Sequence, residues 1–234
     1  MKCLENVIVA LDYENPTDAF RLVDTLGDSI RTYKIGPVLF TGSGPHVIEY
    51  LHLKKKQIFV DLKLHDTPQV VFETIRQLGQ MGVTFATVHC LGGKKMLEAA
   101  SQGCRNSNLQ LLGITLLTTF DPSEGAAWNW DTNSQDSVAK LALLAQQSRL
   151  QGIICSVAEA KKLRPLVYPG FLLVTPGIRP QMKEVFQEDQ KRIATPDEAI
   201  AAGADYLIIG RPITQSRDPK IATLNIFSRS ESCK

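Results

Sequence analysis

Five charged residues lie at the ends of the first three apolar runs of the chain. Asp12 directly follows VIVAL, Lys34 lies within RTYKIG, and QIFV leads into DLKLHDTP, which contains Asp61, Lys63 and Asp66. Ionisable groups beside buried segments are costly unless they are paired. Clusters of unlike charges shift pKa values and are enriched at catalytic sites. The pattern favours acid–base or electrostatic catalysis, and a structural salt-bridge network is the plainer alternative.

Strand periodicity brings two of these charges together. Successive side chains of a strand point to opposite faces, so Phe59, Asp61 and Lys63 are predicted to share one face. The opposite face would carry only aliphatic side chains, namely those of Ile58, Val60, Leu62 and Leu64. A carboxylate and an ammonium group should therefore lie side by side, with Asp66 just beyond the end of the strand.

A glycine close to an arginine follows each of the last two apolar runs. PGIRP contains Pro176 and Arg179, and IGRP contains Gly210 and Arg211. Glycine lets a ligand approach the backbone, and arginine forms charge-assisted hydrogen bonds to anions. These motifs predict a phosphate site, although turn glycines beside surface arginines are the alternative. The polar stretch 179–192 has the length of a loop that closes over a site.

The elements that must position these residues alternate in type along the chain. Helical patterns separate eight strand candidates, which predicts parallel βαβ units and an α/β fold, the (β/α)8 TIM barrel. The candidates are 6–12, 31–36, 57–63, 83–89, 109–117, 152–156, 170–175 and 205–210. An open doubly wound sheet is the alternative, but the first turn lacks GxGxxG. We expect one domain over 1–234, with a disordered tail at 227–234.

A barrel collects its catalytic residues at the carboxyl ends of the strands. The charged residues above lie at such ends, and Thr118 and Ser156 follow the fifth and sixth strand candidates. The predicted helices cover 16–27, 44–55, 67–81, 93–103, 134–149, 157–164, 196–203 and 212–224. His65 and His89 lie near the same ends, but the sequence assigns them no role.

Composition narrows the class of protein. The 26 basic and 24 acidic residues give a net charge of +2, which does not favour nucleic-acid binding. The five cysteines are scattered without a CxxC pair, so neither a disulfide framework nor a zinc site is predicted, and a cytoplasmic location fits best. No apolar run is long enough to predict a membrane span.

Six motifs together resemble the bacterial type of orotidine 5'-phosphate decarboxylase. They are ALD at 10–12, YKIG at 33–36, FVDLKLHDTP at 59–68, TPGIR at 175–179, DQKRIATPDEA at 189–199 and IIGRPI at 208–213. The resemblance implies a homodimeric barrel that converts orotidine 5'-monophosphate to UMP and CO2, the last step of de novo pyrimidine nucleotide synthesis. It implies no metal and no organic cofactor. The charge balance and the short apolar runs already predict neither nucleic acid nor membrane as a partner.

The resemblance also implies a role for each matching residue. Lys34, Asp61, Lys63 and Asp66 would form an alternating charged array, in which Lys63 stabilises and protonates a C6 carbanion-like intermediate. Asp66 and Thr67 would reach the neighbouring subunit's site. The remaining substrate-binding residues would be Asp12, Thr118, Ser156, Pro176, Arg179, Gln190, Gly210 and Arg211. Gln187 is the alternative to Gln190, because the loop is slightly longer than expected for bacterial relatives.

Two other functions stay open from the sequence. One is a Mg²⁺-dependent 3-keto-hexulose or gulonate 6-phosphate lyase of the same superfamily, which shares the DxKxxD element. The other is a non-catalytic nucleotide-binding barrel. Thr67 and Pro68 after Asp66, together with YKIG, favour the decarboxylase over the lyase. The intact set of Asp and Lys residues disfavours a barrel without activity.

Overall fold

Eight parallel strands close into a barrel in the order of the chain. The computed structural model describes residues 2–117, 134–180 and 193–227. The strands are β1 (Val7–Leu11), β2 (Thr32–Ile35), β3 (Gln57–Leu64), β4 (Phe85–His89), β5 (Gln110–Ile114), β6 (Gly152–Ile154), β7 (Leu172–Thr175) and β8 (Tyr206–Ile209). The predicted (β/α)8 class is confirmed, and all eight strands fall within the predicted ranges except that β3 extends one residue further, to Leu64.

Helices connect the strands and cover the outside of the barrel. They are α1 (Lys2–Glu5), α2 (Pro16–Leu26), α3 (Pro37–Ser43), α4 (His46–Leu53), α5 (Pro68–Gln80), α6 (Gly93–Gly103), α7 (Ser134–Gln147), α8 (Val157–Leu163), α9 (Pro196–Ala201), α10 (Arg211–Thr214) and α11 (Pro219–Asn225). Short 3-10 turns occur at Gly27–Ser29 and Cys90–Gly92. Several helices begin with proline, whose fixed φ suits the first helical position.

Two helix predictions differ from the structure. The range 44–55 misses α3, which begins at Pro37 and ends at Ser43, directly before Gly44, where φ is +56°. The range 212–224 is divided between α10 and α11, because the Asp218 carboxylate caps a new helix by accepting a hydrogen bond from the Ile221 amide at 3.0 Å. Both divisions lie at residues that favour helix ends over helix interiors.

Apolar side chains fill the barrel interior and place the site above them. One cluster consists of inward-pointing residues, namely Ile8, Ala10, Phe59, Phe85, Leu112, Val174 and Ile208. Phe59 and Phe85 meet edge to face at 6.0 Å between ring centroids. A larger cluster packs the outward-pointing strand residues against the helices. Since the interior is closed by side chains, a ligand can bind only at an end of the barrel.

The last described residue belongs to the folded domain, and the described helices are short. Phe227, the first residue of the predicted tail, packs against the core, and residues 228–234 lie outside the described part of the chain. Within the described ranges no helix combines the length and apolar character needed to cross a bilayer.

Candidate active site

A cavity of about 330 Å³ lies at the carboxyl ends of the strands. Its polar wall contains eight of the predicted site residues: Asp12, Lys34, Asp61, Lys63, Pro176, Arg179, Gly210 and Arg211. Its apolar wall includes Ala10, Pro37, Ile114, Leu116, Leu117, Ile154 and Ile208. The cavity thus combines charged groups with apolar side chains, as small-molecule sites commonly do.

Four charges form a continuous chain along one wall of the cavity. Lys34 Nζ lies 3.0 Å from Asp12 Oδ1 and 3.6 Å from Asp61 Oδ2. Lys63 Nζ donates a hydrogen bond to the same Asp61 oxygen at 2.9 Å. The side chains of Lys34 and Asp61 are 9% and 11% exposed, whereas that of Asp12 is 62% exposed. The buried centre of the array is Asp61 with two ammonium groups on one oxygen.

Asp61 stays ionised in this setting. Burial alone would raise the pKa of its carboxyl group. The nearby charges of Lys34 and Lys63, with hydrogen bonds from Lys63 and Thr87, outweigh burial, and the pKa lies below its ordinary value. Opposite charge and hydrogen bonds to the charged form act in the same direction. The carboxylate therefore keeps its charge at neutral pH.

An irregularity in β3 brings Lys63 over Asp61. β3 and β4 pair regularly up to Val60 and Ala86, but the next pair is Leu64 with Val88, so the register shifts between Val60 and Leu64. Lys63 has φ +50°, an uncommon value for a residue other than glycine. Its backbone amide donates to Thr87 Oγ1 at 2.9 Å. Bulges of this kind re-aim side chains next to active sites.

Gly36 leaves room for the pair of Asp12 and Lys34. A Cβ at this position would meet Asp12 Oδ1 at 3.0 Å and Lys34 Nζ at 3.4 Å. The backbone of Gly36 is extended, with φ −86° and ψ 177°, so glycine is needed for space rather than for conformation. Sequence reasoning did not single out this residue.

The part of the cavity where the sequence predicts a phosphate is built on the segments after β7 and β8. Gly177 has φ +78°, a conformation that favours glycine. The Arg179 amide donates to the Ala194 carbonyl at 2.8 Å, which ties the chain after β7 to residue 194. Gly210 precedes the four-residue helix α10, which begins at Arg211. Two arginines and two glycines therefore face the same cavity, as the sequence predicted.

Five predicted residues are placed elsewhere or lie outside the described chain. Asp66 and Thr67 are exposed and do not line the cavity, and Asp66 Oδ1 accepts a hydrogen bond from the Thr67 amide at 2.6 Å. Ser156 is buried at the start of α8, where its hydroxyl accepts a hydrogen bond from the Glu159 amide. Thr118 and Gln190, with the alternative Gln187, lie outside the described residues.

The structure adds Thr87, which sequence reasoning missed. Its hydroxyl donates to Asp61 Oδ1 at 2.9 Å and accepts from the Lys63 amide. The alternation of β4 could have indicated an inward position for it, between Phe85 and His89. His89 itself is neutral, because burial and the charges of His65 and Lys63 lower its pKa to about 4.

Comparison with known proteins identifies close relatives. Residues 5–226 match the family described as orotidine 5'-phosphate decarboxylase / HUMPS. Orotidine 5'-phosphate decarboxylase of Nitrosospira multiformis is 42% identical over 215 residues, covering 92% of this chain and 89% of the relative. The enzyme of the same name from Aliivibrio fischeri is 41% identical over 218 residues, covering 92% of each chain. The crystal structure of orotidine 5'-phosphate decarboxylase from Lactobacillus acidophilus has a TM-score of 0.83 and 36% identity, covering 95% of this chain and 97% of that one.

Proposed function

This chain belongs to the orotidine 5'-phosphate decarboxylase / HUMPS family, and from that premise we propose that it converts orotidine 5'-monophosphate to UMP and CO2. This reaction is the last step of de novo pyrimidine nucleotide synthesis. The single observation that carries the proposal is the Lys34–Asp61–Lys63 array on the wall of the cavity. Identities of about 41% with proteins named orotidine 5'-phosphate decarboxylase, over most of both chains, favour the decarboxylase over the Mg²⁺-dependent lyase.

The chemistry needs a fixed positive charge beside C6 of the pyrimidine. The bond between C6 and the carboxylate breaks, CO2 leaves, and the electron pair stays on C6 in the plane of the ring. The π system cannot delocalise a pair in that plane, so stabilisation must be electrostatic. Lys63 supplies the ammonium charge and then transfers one N–H proton to C6, after which solvent reprotonates the amine.

Asp61 holds the proton donor in place. Its Oδ2 accepts the hydrogen bond from Lys63, and its lowered pKa keeps it ionised. A fixed carboxylate restricts the long lysine side chain to one arrangement before the substrate arrives, which is the condition for preorganised electrostatic catalysis. The negative charge of Asp61 also repels the substrate carboxylate, which favours the departure of that group as neutral CO2.

The polar side chains of the cavity suit a nucleotide. Asp12 is largely exposed and pairs with the buried Lys34, and the polar atoms of both can bind the ribose hydroxyls. Arg179, Gly210 and Arg211 line the same cavity, where guanidinium groups suit a phosphate dianion. Binding energy from the phosphate, remote from C6, can be used in the transition state.

We further propose that the active unit is a homodimer in which Asp66 and Thr67 complete the neighbouring site. All residues from His65 to Val70 are exposed, although they directly follow the catalytic segment of β3. The connections after β2 to β5 also expose apolar side chains, namely Val38, Val70, Leu91 and Leu117. Exposed apolar groups clustered beside a site are typical of an interaction surface.

Mixing two inactive variants tests the shared site. In a dimer of Lys63→Ala with Asp66→Ala, one site carries both lesions and the other carries neither. Random exchange of equal amounts should therefore restore about a quarter of the wild-type activity. Native mass spectrometry of the mixture confirms that mixed dimers have formed, because their mass lies between the masses of the two homodimers. A mixed dimer population without recovered activity would contradict the assignment of Asp66 to the neighbouring subunit.

The activity itself is tested by following orotidylate absorbance with purified protein. We expect turnover without added metal and no inhibition by EDTA. A Mg²⁺-dependent lyase would not convert orotidylate and would lose its own activity in EDTA. Lys63→Ala should lower kcat/KM by at least about 10⁴-fold, because it removes both charge stabilisation and the proton donor. A folded Lys63→Ala protein with near-normal turnover would refute this role.

The phosphate site has a separate test. Arg211→Ala should lower kcat/KM for orotidine 5'-monophosphate by about 10²-fold, the effect of losing roughly 2 to 3 kcal/mol from a hydrogen bond to a charged group. The same variant should process unphosphorylated orotidine at the wild-type rate. Equal losses for both substrates would show that Arg211 does not act on the phosphate.

A further inference from the structure

A buried hydroxyl joins the two residues at the centre of the proposed reaction. Thr87 lies on β4, is fully buried, and does not line the cavity. Its Oγ1 donates to Asp61 Oδ1 at 2.9 Å and accepts from the backbone amide of Lys63, also at 2.9 Å. We propose that Thr87 is a positioning residue that holds Asp61 and Lys63 in their reactive arrangement, an inference that rests on the proposed function.

The first effect of the hydroxyl is on the carboxylate of Asp61. Oδ1 is bound by Thr87, whereas Oδ2 faces both Lys34 and Lys63, at 3.6 Å and 2.9 Å. The two oxygens therefore have different partners, and rotation of the carboxylate would break the bond to Thr87. Thr87 fixes the orientation that presents Oδ2 to the ammonium groups.

The second effect is on the backbone of β3. The register between β3 and β4 shifts between Val60 and Leu64, so the regular ladder does not continue through Lys63. The Lys63 amide is bonded to the Thr87 side chain instead, at a residue with φ +50°. A non-glycine residue keeps such a backbone conformation only where its surroundings hold it. The same hydroxyl thus supports the backbone of the proton donor and the side chain of its partner.

The chain offers a matched set of variants. Thr87→Val keeps the shape of the side chain and removes the hydroxyl, whereas Thr87→Ser keeps the hydroxyl. Thr32→Val is the control, since Thr32 is also fully buried on a strand and donates to Gln57 Oε1 at 3.0 Å, away from the cavity. The readouts are kcat and KM for orotidine 5'-monophosphate, the pH profile of kcat, and the melting temperature.

The expected result is a specific loss of turnover. Thr87→Val should lower kcat by about 10² or more, because misplacement of reacting groups is costly, while KM changes by less than about threefold. The acid limb of its pH profile should move to higher pH, because Asp61 loses a hydrogen bond that lowers its pKa. Thr87→Ser should recover kcat to within about tenfold of wild type, and Thr32→Val should keep it.

Different outcomes would overturn the role of Thr87 or the proposed function itself. If wild type turns over orotidylate but Thr87→Val matches Thr32→Val in kcat and pH profile, Thr87 has only a structural role and the inference is overturned. If wild type itself does not decarboxylate orotidylate, the proposed function fails instead. Should Thr87→Val not fold, Thr87→Ala replaces it, and a Ser-to-Ala ratio of kcat below about tenfold overturns the inference.

Discussion

Replacing Gly36 with alanine should damage the site without damaging the fold. The added methyl group would lie 3.0 Å from Asp12 Oδ1 and 3.4 Å from Lys34 Nζ. Ordinary contact begins at 3.4 Å, so the carboxylate must move by a few tenths of an ångström. The backbone of Gly36 is extended and accepts alanine without strain. The substitution therefore acts on the pair of Asp12 and Lys34.

The geometry sets the size of the effect. The Asp12–Lys34 contact is now 3.0 Å, and the shift would stretch or tilt it while moving the carboxylate away from the position proposed for the ribose. Weakened charge-assisted hydrogen bonds here should cost about 1 to 3 kcal/mol in the transition state, or 10- to 100-fold in kcat/KM. Alanine at a compatible backbone position adds up to about 1 kcal/mol of stability, so the melting temperature should change by less than about 4 °C.

A double-mutant cycle isolates the cause. Steady-state kinetics are measured for wild type, Gly36→Ala, Asp12→Ala and the double variant, with the melting temperature of each. On the Asp12→Ala background the methyl group has no carboxylate to displace, so its kinetic effect should fall to about threefold or less. Equal effects of Gly36→Ala on both backgrounds would falsify the steric explanation, and a large drop in melting temperature would assign the loss to folding.

Three other predictions address stability and reactivity. Asp61→Asn should lower the free energy of unfolding at pH 7 by about 1 to 3 kcal/mol. Because folding lowers the pKa of Asp61, this difference between the variant and wild type should persist above about pH 4 and vanish as the pH falls through the pKa of the folded state. Chemical unfolding measured at a series of acid pH values checks this. Thr195→Ala removes the hydroxyl that caps α9 and should cost about 1 kcal/mol by chemical unfolding, whereas Thr195→Ser should cost less. Burial raises the pKa of Cys90 to about 12 and that of Cys155 higher still, so a thiol reagent at pH 8 should label neither until the protein unfolds, as peptide mass spectrometry will show.

The sequence predicted the barrel and the cavity wall for one physical reason. Parallel strands all end on the same side, so charges at strand ends converge whatever the details of packing. Asp12, Lys34, Asp61 and Lys63 needed only this rule and the alternation of side chains along a strand. The distribution of contacts among them, with two ammonium groups on one oxygen of Asp61, depends on side-chain geometry that alternation does not contain.

The bulge of β3 could not be predicted from the sequence. Neither glycine nor proline occurs between Asp61 and His65, and regular alternation places Lys63 on the correct face without any irregularity. The shift in register and the positive φ of Lys63 occur where the Lys63 amide bonds to the Thr87 hydroxyl of β4. A contact between a side chain and the backbone of a distant residue leaves no periodic signal in either segment.

Two further differences had signals in the sequence. Ser156 is followed three residues later by Glu159, the spacing of a capping box, and the structure contains both of its hydrogen bonds. The Ser156 hydroxyl therefore caps α8, and the role in substrate binding that the resemblance implies for it stays a prediction. Similarly, Pro37 after Gly36 marks the first turn of α3, but the poor helix formers near its end masked the element.

The charged array of a single subunit is balanced without Asp66. Asp12, Lys34, Asp61 and Lys63 neutralise one another in pairs, so one subunit holds its array without an unpaired buried charge. Asp66 is exposed, and no described residue of its own chain forms an ion pair with it. In the proposed dimer, its charge arrives beside this neutral set and gives the array of Asp and Lys residues an excess of one negative charge before the substrate binds. That excess favours the ammonium form of Lys63 and opposes the carboxylate of the substrate, so the same charge supports the proton donor and the departure of CO2.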